Sequence, residues 1–311
     1  MSGVAWAAVA GVLFGIFQSV NRATLVDMDV YASTFLQLLV CSAFMVIVLV
    51  LDDAGAVRRL SATAMANFSI AGLIHFMAGW TLLNMSQKRL GASRTSPLIA
   101  TTPLFATAVA ALALDEVPDS IEVVGMVLIV IGVYVAQMDR ARTAPAPSTV
   151  GGRSGQRPLP LASAAPPLWW SVFGLGAAFA WAVSPIFIRH GLEEVDDPIL
   201  GVTVGVVAAS VAFGVALLVR GRSASLLVAS RSSIAWKAVA GILVGVATWA
   251  RWYALSLTAV AVVLSLALLS IPTVLFLAPI VAGRHLERIT LPVVIGSAFV
   301  VGGSLVLIGQ G

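Results

Sequence analysis

The chain has 311 residues, of which 59% are hydrophobic and only 10% are charged, with a mean hydropathy of +1.02 and a formal net charge of +4. With so few polar residues the chain cannot cover the surface of a water-soluble protein. The composition therefore excludes a water-soluble globular protein and predicts an all-α integral membrane protein. The single cysteine, Cys41, excludes a disulfide framework and a thiolate metal site, and the small positive charge indicates membrane topology rather than nucleic-acid binding.

Long apolar runs recur along the chain, each close to the roughly 20 residues that a spanning helix needs. They predict ten transmembrane helices, at about 4–20, 31–51, 66–87, 93–114, 121–138, 168–188, 199–219, 234–257, 259–281 and 289–308. The first run has no Lys or Arg before it, so it lacks the basic start of a cleaved signal peptide and is expected to remain as a helix.

Residues 139–167 interrupt this pattern with prolines, glycines, serines and arginines and no apolar periodicity. Such a composition cannot bury enough apolar surface to offset the entropy of ordering, which predicts a flexible linker. We therefore expect a first five-helix repeat at 1–138, a linker at 139–167 and a second five-helix repeat at 168–311.

The two halves repeat one another at a nearly constant spacing. The matched pairs are Arg22 and Arg189 at an offset of 167, Gly72 and Gly241 at 169, Trp80 and Trp249 at 169, and Glu116, Gly125 and Gly132 with Glu287, Gly296 and Gly303 at 171. An odd number of spans in each repeat makes the halves cross the bilayer in opposite senses. This inverted-repeat plan is typical of secondary transporters, whose substrate site lies near the midplane between the halves.

Ten spans in two five-span repeats resemble the EamA-type members of the drug/metabolite transporter superfamily. The residues that carry the resemblance are Phe14-Gly15 and Trp181-Ala182, Arg22 and Arg189, Pro103 and Pro272, and the turns at Glu116 and Glu287. The resemblance implies a multi-pass carrier of the plasma membrane, often an exporter of amino acids or related metabolites such as organic anions.

The residues disfavour an enzyme. The three histidines, His75, His190 and His285, are scattered and no HExxH motif is present, so neither a catalytic nor a metal constellation is predicted. No nucleotide-binding loop is found, and we expect no cofactor. The expected partners are a small-molecule substrate and the lipid bilayer, not nucleic acid, while proton coupling and a monomeric state remain open.

Two alternatives to a metabolite carrier stay in view. Small multidrug transporters of the same superfamily use an acidic residue in the first helix to exchange a proton for a lipophilic cation, and this chain has Gln18 there instead. A passive channel is less favoured, because an inverted repeat is typical of alternating access.

His75 and Arg251 are the ionisable residues predicted to lie deep in the membrane, where a charge by default marks a site or a pathway. His75 shares a helix face with Leu82, seven residues on, and Leu82 is the repeat counterpart of Arg251. We predict that this face lines the central cavity and that Arg251 binds a carboxylate or phosphate of the substrate. His75 would hydrogen-bond the substrate or sense protons. The alternative for Arg251 is an arginine that extends to the membrane surface from near its helix end, and the alternative for His75 is a histidine that serves packing alone.

A second face of the same helices carries Trp80 and Asn84 in the first repeat and Tyr253 in the second, about 140° from His75. Aromatic stripes of this kind more often serve packing than substrate binding. In the first helix of each repeat, Gln18 and the pair Trp181 and Ser184 are further candidates for lining the cavity. The predicted substrate-binding residues are therefore Gln18, His75, Trp80, Asn84, Trp181, Ser184, Arg251 and Tyr253.

Basic residues fall mostly in the connections of one side, among which Lys237 is counted, and the positive-inside rule then places the linker in the cytoplasm and both termini outside. The family resemblance favours cytoplasmic termini instead. The acidic residues fall at span ends or in connections. We expect Glu116 and Glu287 to serve the N-termini of the helices that follow them, with Arg288 as a partner.

Overall fold

The computed structural model describes residues 2–26, 28–114, 120–137, 168–220, 230–258, 260–284 and 286–308, and the regular secondary structure of these residues is entirely helical. The predicted all-α class is thereby confirmed. The helices are α1 (Gly3–Thr24), α2 (Val30–Asp53), α3 (Ala62–Leu90), α4 (Ala92–Ile99), α5 (Thr102–Leu114), α6 (Ser120–Gln137), α7 (Ser171–Glu194), α8 (Pro198–Val219), α9 (Arg231–Leu257), α10 (Val260–Ala267), α11 (Ser270–Val281) and α12 (Leu291–Ile308).

Six helices of the described chain are long and apolar enough to cross a membrane: α1, α2, α3, α7, α8 and α9. Their outward faces carry large apolar side chains that are more than half exposed, such as Leu51 and Val219. The interior, by contrast, holds many polar side chains. This arrangement fits a bundle that presents apolar residues to lipid and keeps its polar groups for the inside.

The fourth and ninth predicted spans are each two short helices. In the first half the break falls after Ile99 and just before Pro103, and in the second half it falls after Ala267 and just before Pro272. A proline has no N–H to donate to the carbonyl four residues earlier, so helical bonding is interrupted at equivalent places. In the first half, the hydroxyl group of Thr102 replaces the missing donor: Thr102 Oγ1 donates a hydrogen bond to Ile99 O at 2.6 Å.

Helices of one half pack on helices of the other in a reciprocal pattern. Helix α1 packs on α9 while their counterparts α7 and α3 pack on each other, and the matching helices α2 and α8, and α6 and α12, pack together. Ser42 of α2 and its counterpart Ser210 of α8 are hydrogen-bonded through their hydroxyl groups at 2.7 Å. Between α6 and α12 the backbones approach so closely that a Cβ on Gly303 would lie 2.5 Å from Gly125 O.

Ion pairs mark the two ends of the bundle. Arg22, at the end of α1, pairs with Glu287, just before α12, and we refer to this as the Glu287 end. Arg59, just before α3, pairs with Asp53 and with Asp197 at the start of α8, and we refer to this as the Arg59 end. The predicted linker and Glu116 lie outside the described residues, so the domain boundaries stay a prediction.

Candidate functional site

A small cavity lies between the two halves of the chain, nearer the Arg59 end. The volume within which the centre of a water molecule can lie is about 30 Å³, which is room for about two waters. Its walls are mostly small or apolar, and four side chains bring polar atoms to it: His75, Trp181, Thr248 and Arg251. We call this space the central cavity.

The histidine of the central cavity sits in an irregular stretch of helix. Residues Leu73–Gly79 of α3 form a π-helical segment, a distortion that is frequent at functional sites. His75 Nδ1 is 2.9 Å from Ser184 Oγ, and its carbonyl oxygen accepts a hydrogen bond from Trp181 Nε1 at 3.1 Å. The histidine of the first half is therefore held by two residues of α7 in the second half.

Trp181 reaches this position because Gly79 leaves space for it. A Cβ on Gly79 would lie 2.6 Å from Trp181 Nε1, too close for any real side chain. The indole packs edge-on against Phe14 of α1, with ring centroids 5.2 Å apart, and lies 5.9 Å from the His75 ring. Three helices thus fix the orientation of the aromatic wall.

Among the described residues that line the central cavity, Arg251 is the only Lys or Arg. Its Nε and Nη2 atoms are buried and have no hydrogen-bond partner among the described residues. A guanidinium reaching the membrane surface would place these atoms in water, so their burial argues against that alternative for this structure. The donors are instead available to an acceptor that enters the cavity.

A second buried cation lies nearer the Glu287 end. Lys237 of α9 is fully buried, and its Nζ donates to Asn21 Oδ1 and, at 2.6 Å, to Gln37 Oε1. The sequence-based charge count placed this residue in a connection, which the structure contradicts. The reason is that α9 begins at Arg231, so that Lys237 enters the bundle almost two turns inside the helix.

Further buried amides extend from this lysine and form what we call the polar network. Asn21 Nδ2 donates to Asn84 Oδ1 and to Gln87 Oε1, both at 2.7 Å. Asn84 Nδ2 then donates to Thr34 Oγ1 at 2.9 Å. The network joins helices α1, α2, α3 and α9, and its members are Gln18, Asn21, Thr34, Gln37, Asn84, Gln87 and Lys237.

The eight predicted site residues therefore separate into groups. His75, Trp181 and Arg251 line the central cavity and Ser184 bonds to His75, whereas Gln18 and Asn84 belong to the polar network. Trp80 is fully buried against Phe76, with ring centroids 4.9 Å apart, and Tyr253 packs edge-on against Trp6 at 5.3 Å. Neither of these last two is among the cavity-lining residues.

Glu287 occupies an unexpected place at its end of the bundle. Besides the ion pair with Arg22, its carboxylate accepts hydrogen bonds from Ala92 N at 2.8 Å, Ser93 N at 3.0 Å and Ser93 Oγ at 2.6 Å. It therefore serves the N-terminus of α4 rather than that of the helix that follows it, and Arg22 rather than Arg288 is its partner. Gly91 has a φ of 85°, and a Cβ there would lie 2.7 Å from Glu287 Oε1.

Sequence reasoning overlooked Asn21 and Lys237 as parts of one buried cluster. Asn21 lies one turn after Gln18 and one residue beyond the predicted end of the first span, so its place on the same helix face as Gln18 was a usable signal. Lys237 gave only a weak signal, since a lysine three residues inside a predicted span is usually at the membrane surface.

Comparison with known proteins finds a match to one family model and a likeness to solved structures. The model of the EamA-like transporter family matches residues 1–138. No curated protein sequence matches the chain. Solved structures do match, and one described as "Crystal structure of protein" has a TM-score of 0.59 at 14% sequence identity, covering 96% of this chain and 95% of that one. At this identity the likeness shows a shared fold and nothing finer.

Proposed function

We propose that the chain, whose first 138 residues match the model of the EamA-like transporter family, is a secondary transporter of small metabolites with an acidic group. Organic anions and amino acids are the substrate classes. The cycle is alternating access, and the direction is export across the plasma membrane, which follows from the resemblance to EamA-type carriers.

The observation that carries the substrate class is the unpartnered guanidinium of Arg251 in the central cavity. A guanidinium presents a planar fork of N–H donors that matches the two oxygens of a carboxylate or phosphate. No carboxylate is among the cavity-lining residues of the described chain, so the lining provides no acidic partner for a cationic drug. His75 and Trp181 supply a hydrogen-bonding ring and an aromatic wall beside the guanidinium.

An inverted pair of five-helix repeats is part of the proposal. It is supported by contacts between equivalent residues, because elements related by a two-fold axis meet through the same positions. The hydroxyl pair of Ser42 and Ser210 is one such contact, with an offset of 168. Helices α6 and α12 provide another: Gly132 lies close to Gly296 and Gly125 lies close to Gly303, and these four residues are the glycines matched between the repeats.

Movement is needed for transport. A cavity with room for about two waters cannot hold an amino acid, so α1 and α9, which line it, must separate before substrate enters. The Glu287 end is closed by the polar network and by the ion pair of Arg22 with Glu287. In an alternating-access cycle these contacts break when the cavity opens towards that end.

Counterflow in proteoliposomes tests this function. Vesicles loaded with unlabelled L-glutamate, succinate or inorganic phosphate are diluted into a trace of the same labelled compound. A carrier accumulates label transiently and saturates with external concentration, and the lipophilic cation tetraphenylphosphonium gives no such signal. Uptake that rises without saturation and shows no counterflow indicates a channel, and counterflow with the cation alone indicates a drug exporter.

A further inference from the structure

Lys237 is a buried cation that the central cavity does not use. Its ammonium donates to two amide oxygens, those of Asn21 and Gln37, and no carboxylate of the described chain forms an ion pair with it. Neutral amide oxygens solvate a charge without cancelling it. Lys237 therefore has no anionic partner among the described residues, a costly arrangement for a buried lysine that is usually tied to function.

This ammonium fixes how the neighbouring amides point, because it only donates hydrogen bonds. Gln37 must turn its oxygen towards Lys237, so its Nε2 group faces away. That Nε2 atom is buried and has no hydrogen-bond partner in the described part of the chain. Rotating the amide would supply it with no acceptor and would place an N–H group against the ammonium.

The hydrogen-bond direction that Lys237 imposes continues through the amides of the polar network. Asn21 turns its oxygen to Lys237, and its Nδ2 donates to the side-chain oxygens of Asn84 and Gln87. Gln87 Nε2 then lies 3.4 Å from Gln18 Oε1, its acceptor. This path ends at Gln18 Nε2, which is buried without a hydrogen-bond partner among the described residues. Along the path from Gln37 to Gln18, the group at each end is therefore an unused donor.

Buried donors without acceptors are expensive, and most buried polar groups in native proteins have partners. Here a buried lysine lacks an anionic partner, and two amide N–H groups lack an acceptor among the described residues. A carboxylate or phosphate supplies both a negative charge and several lone pairs, so an anion meets both kinds of need. A cation or an apolar molecule meets none of them.

The position of Lys237 relates this group to the central cavity. Lys237 and Arg251 are 14 residues apart on α9, a rise of about 21 Å, and a rotation of about 40° separates their directions. Towards the Glu287 end, a pocket of about 390 Å³ reaches Ser233, one helical turn before Lys237. The two cations thus lie along one face of a helix, between this pocket and the central cavity.

We propose that Lys237, Gln18 and Gln37 form a second station that binds the acidic group of the substrate on its way between Arg251 and the Glu287 end. The inference rests on the proposed function in taking the substrate to be an anion. It assigns the second station to the state in which the polar network opens.

Thermal unfolding of the full chain in detergent tests the station, with L-glutamate, succinate and inorganic phosphate as probes and chloride at equal ionic strength as reference. The key comparison uses Arg251→Leu as background, in which the central cavity has lost its cation. Gln37→Glu is added to it, because the new carboxylate preserves side-chain size and supplies the missing acceptor. Lys237→Met is the second variant, and Lys88→Met, which removes a lysine outside the network, is the matched control.

We expect Arg251→Leu and its combination with Lys88→Met to keep part of the rise in Tm that the probes produce. Adding Gln37→Glu should raise Tm in chloride alone and abolish the remaining rise with the probes, and adding Lys237→Met should abolish that rise as well. If Lys237→Met does not fold, Gln37→Glu alone decides.

Loss of the whole rise in Arg251→Leu contradicts the second station and leaves the central cavity as the anion site. A residual rise that neither Gln37→Glu nor Lys237→Met changes also contradicts it. A full rise in Arg251→Leu that Gln37→Glu removes supports the second station and contradicts the role given to Arg251. A wild-type protein that none of the three probes stabilises contradicts both.

Discussion

Arg22 and Glu287, 265 positions apart in the chain, are joined by an ion pair of 2.8 Å that ties the end of α1 to the segment before α12. The same carboxylate holds the first N–H groups of α4. Three connections therefore converge on one buried acid. Glu287 thereby joins the two halves of the chain at this end of the bundle.

Replacing Glu287 with Gln should weaken this junction. The variant keeps the size of the side chain but loses the charge that stabilises Arg22 and the N-terminus of α4. Breaking a fully buried ion pair costs about 3–5 kcal/mol, which sets the upper limit here. We expect a loss of about 2 kcal/mol in the free energy of unfolding, which thermal unfolding in detergent will show as a lower Tm. The control is Glu193→Gln, an exposed acid of α7, which should change Tm little. Equal effects of the two variants would contradict the role given to Glu287.

Two adjacent glycines of α12 provide a matched test of its packing on α6. A Cβ on Gly303 would lie 2.5 Å from Gly125 O, whereas a Cβ on Gly302 would meet nothing within 4 Å. Gly303→Ala should therefore destabilise the protein by about 1–3 kcal/mol, since two backbones must separate. Gly302→Ala should be neutral or stabilising by up to about 1 kcal/mol, because Ala favours the helix. The order of the two Tm values checks the prediction, and the reverse order would refute the close contact.

The hydroxyl pair of Ser42 and Ser210 predicts coupling between equivalent positions. Each single change to Ala should cost about 0.5–1 kcal/mol, and the double change should cost less than the sum. We expect an interaction energy of about 0.6 kcal/mol, the typical strength of a hydrogen bond between membrane helices. A double-mutant cycle measured by unfolding gives this value. Strict additivity would show that the two hydroxyls do not interact.

Ser184 is expected to matter through His75. Ser184→Ala removes the hydroxyl 2.9 Å from His75 Nδ1 and leaves a buried ring nitrogen without that partner. The cost should be about 1–2 kcal/mol, with a several-fold higher KM in counterflow because the ring loses its orientation. Ser19→Ala is the comparison, since Ser19 bonds only within its own helix, to Gly15 O. Equal Tm and KM values for the two variants would show that the hydrogen bond between Ser184 and His75 does not affect stability or transport.

The sequence was sufficient for the all-α class and for three residues of the central cavity, His75, Trp181 and Arg251, and the reasons are physical. Apolar runs of spanning length follow directly from the need to satisfy every backbone group in lipid. The pairing of His75 with Arg251 followed from the repeat, because equivalent faces of equivalent helices meet at the axis between halves. The structure brings both to one cavity, while their role in binding substrate stays a prediction.

The remaining features depended on geometry that no sequence pattern carries. A helical wheel assumes 100° per residue, and the π-helical segment Leu73–Gly79 changes the rotation between His75 and Trp80. Lys237 belongs to a network whose other members come from three different helices, so its burial depends on tertiary packing. Glu287 caps a helix of the opposite half, and contacts over such a sequence distance leave no local signal.

Anion transport by Arg251 variants tests the central claim most directly. Arg251→Leu removes the charge and the donor fork, and Arg251→Lys keeps the charge alone, while Arg189→Leu removes an exposed arginine whose Nη2 donates to Thr258 O at 3.2 Å. Loss of charge-assisted hydrogen bonds worth about 1.5–3 kcal/mol predicts a KM for the transported anion that is roughly 10-fold to 100-fold higher in Arg251→Leu. Arg251→Lys should fall between it and the wild type, and Arg189→Leu should match the wild type. Counterflow of the anion with an unchanged KM in Arg251→Leu would contradict the account.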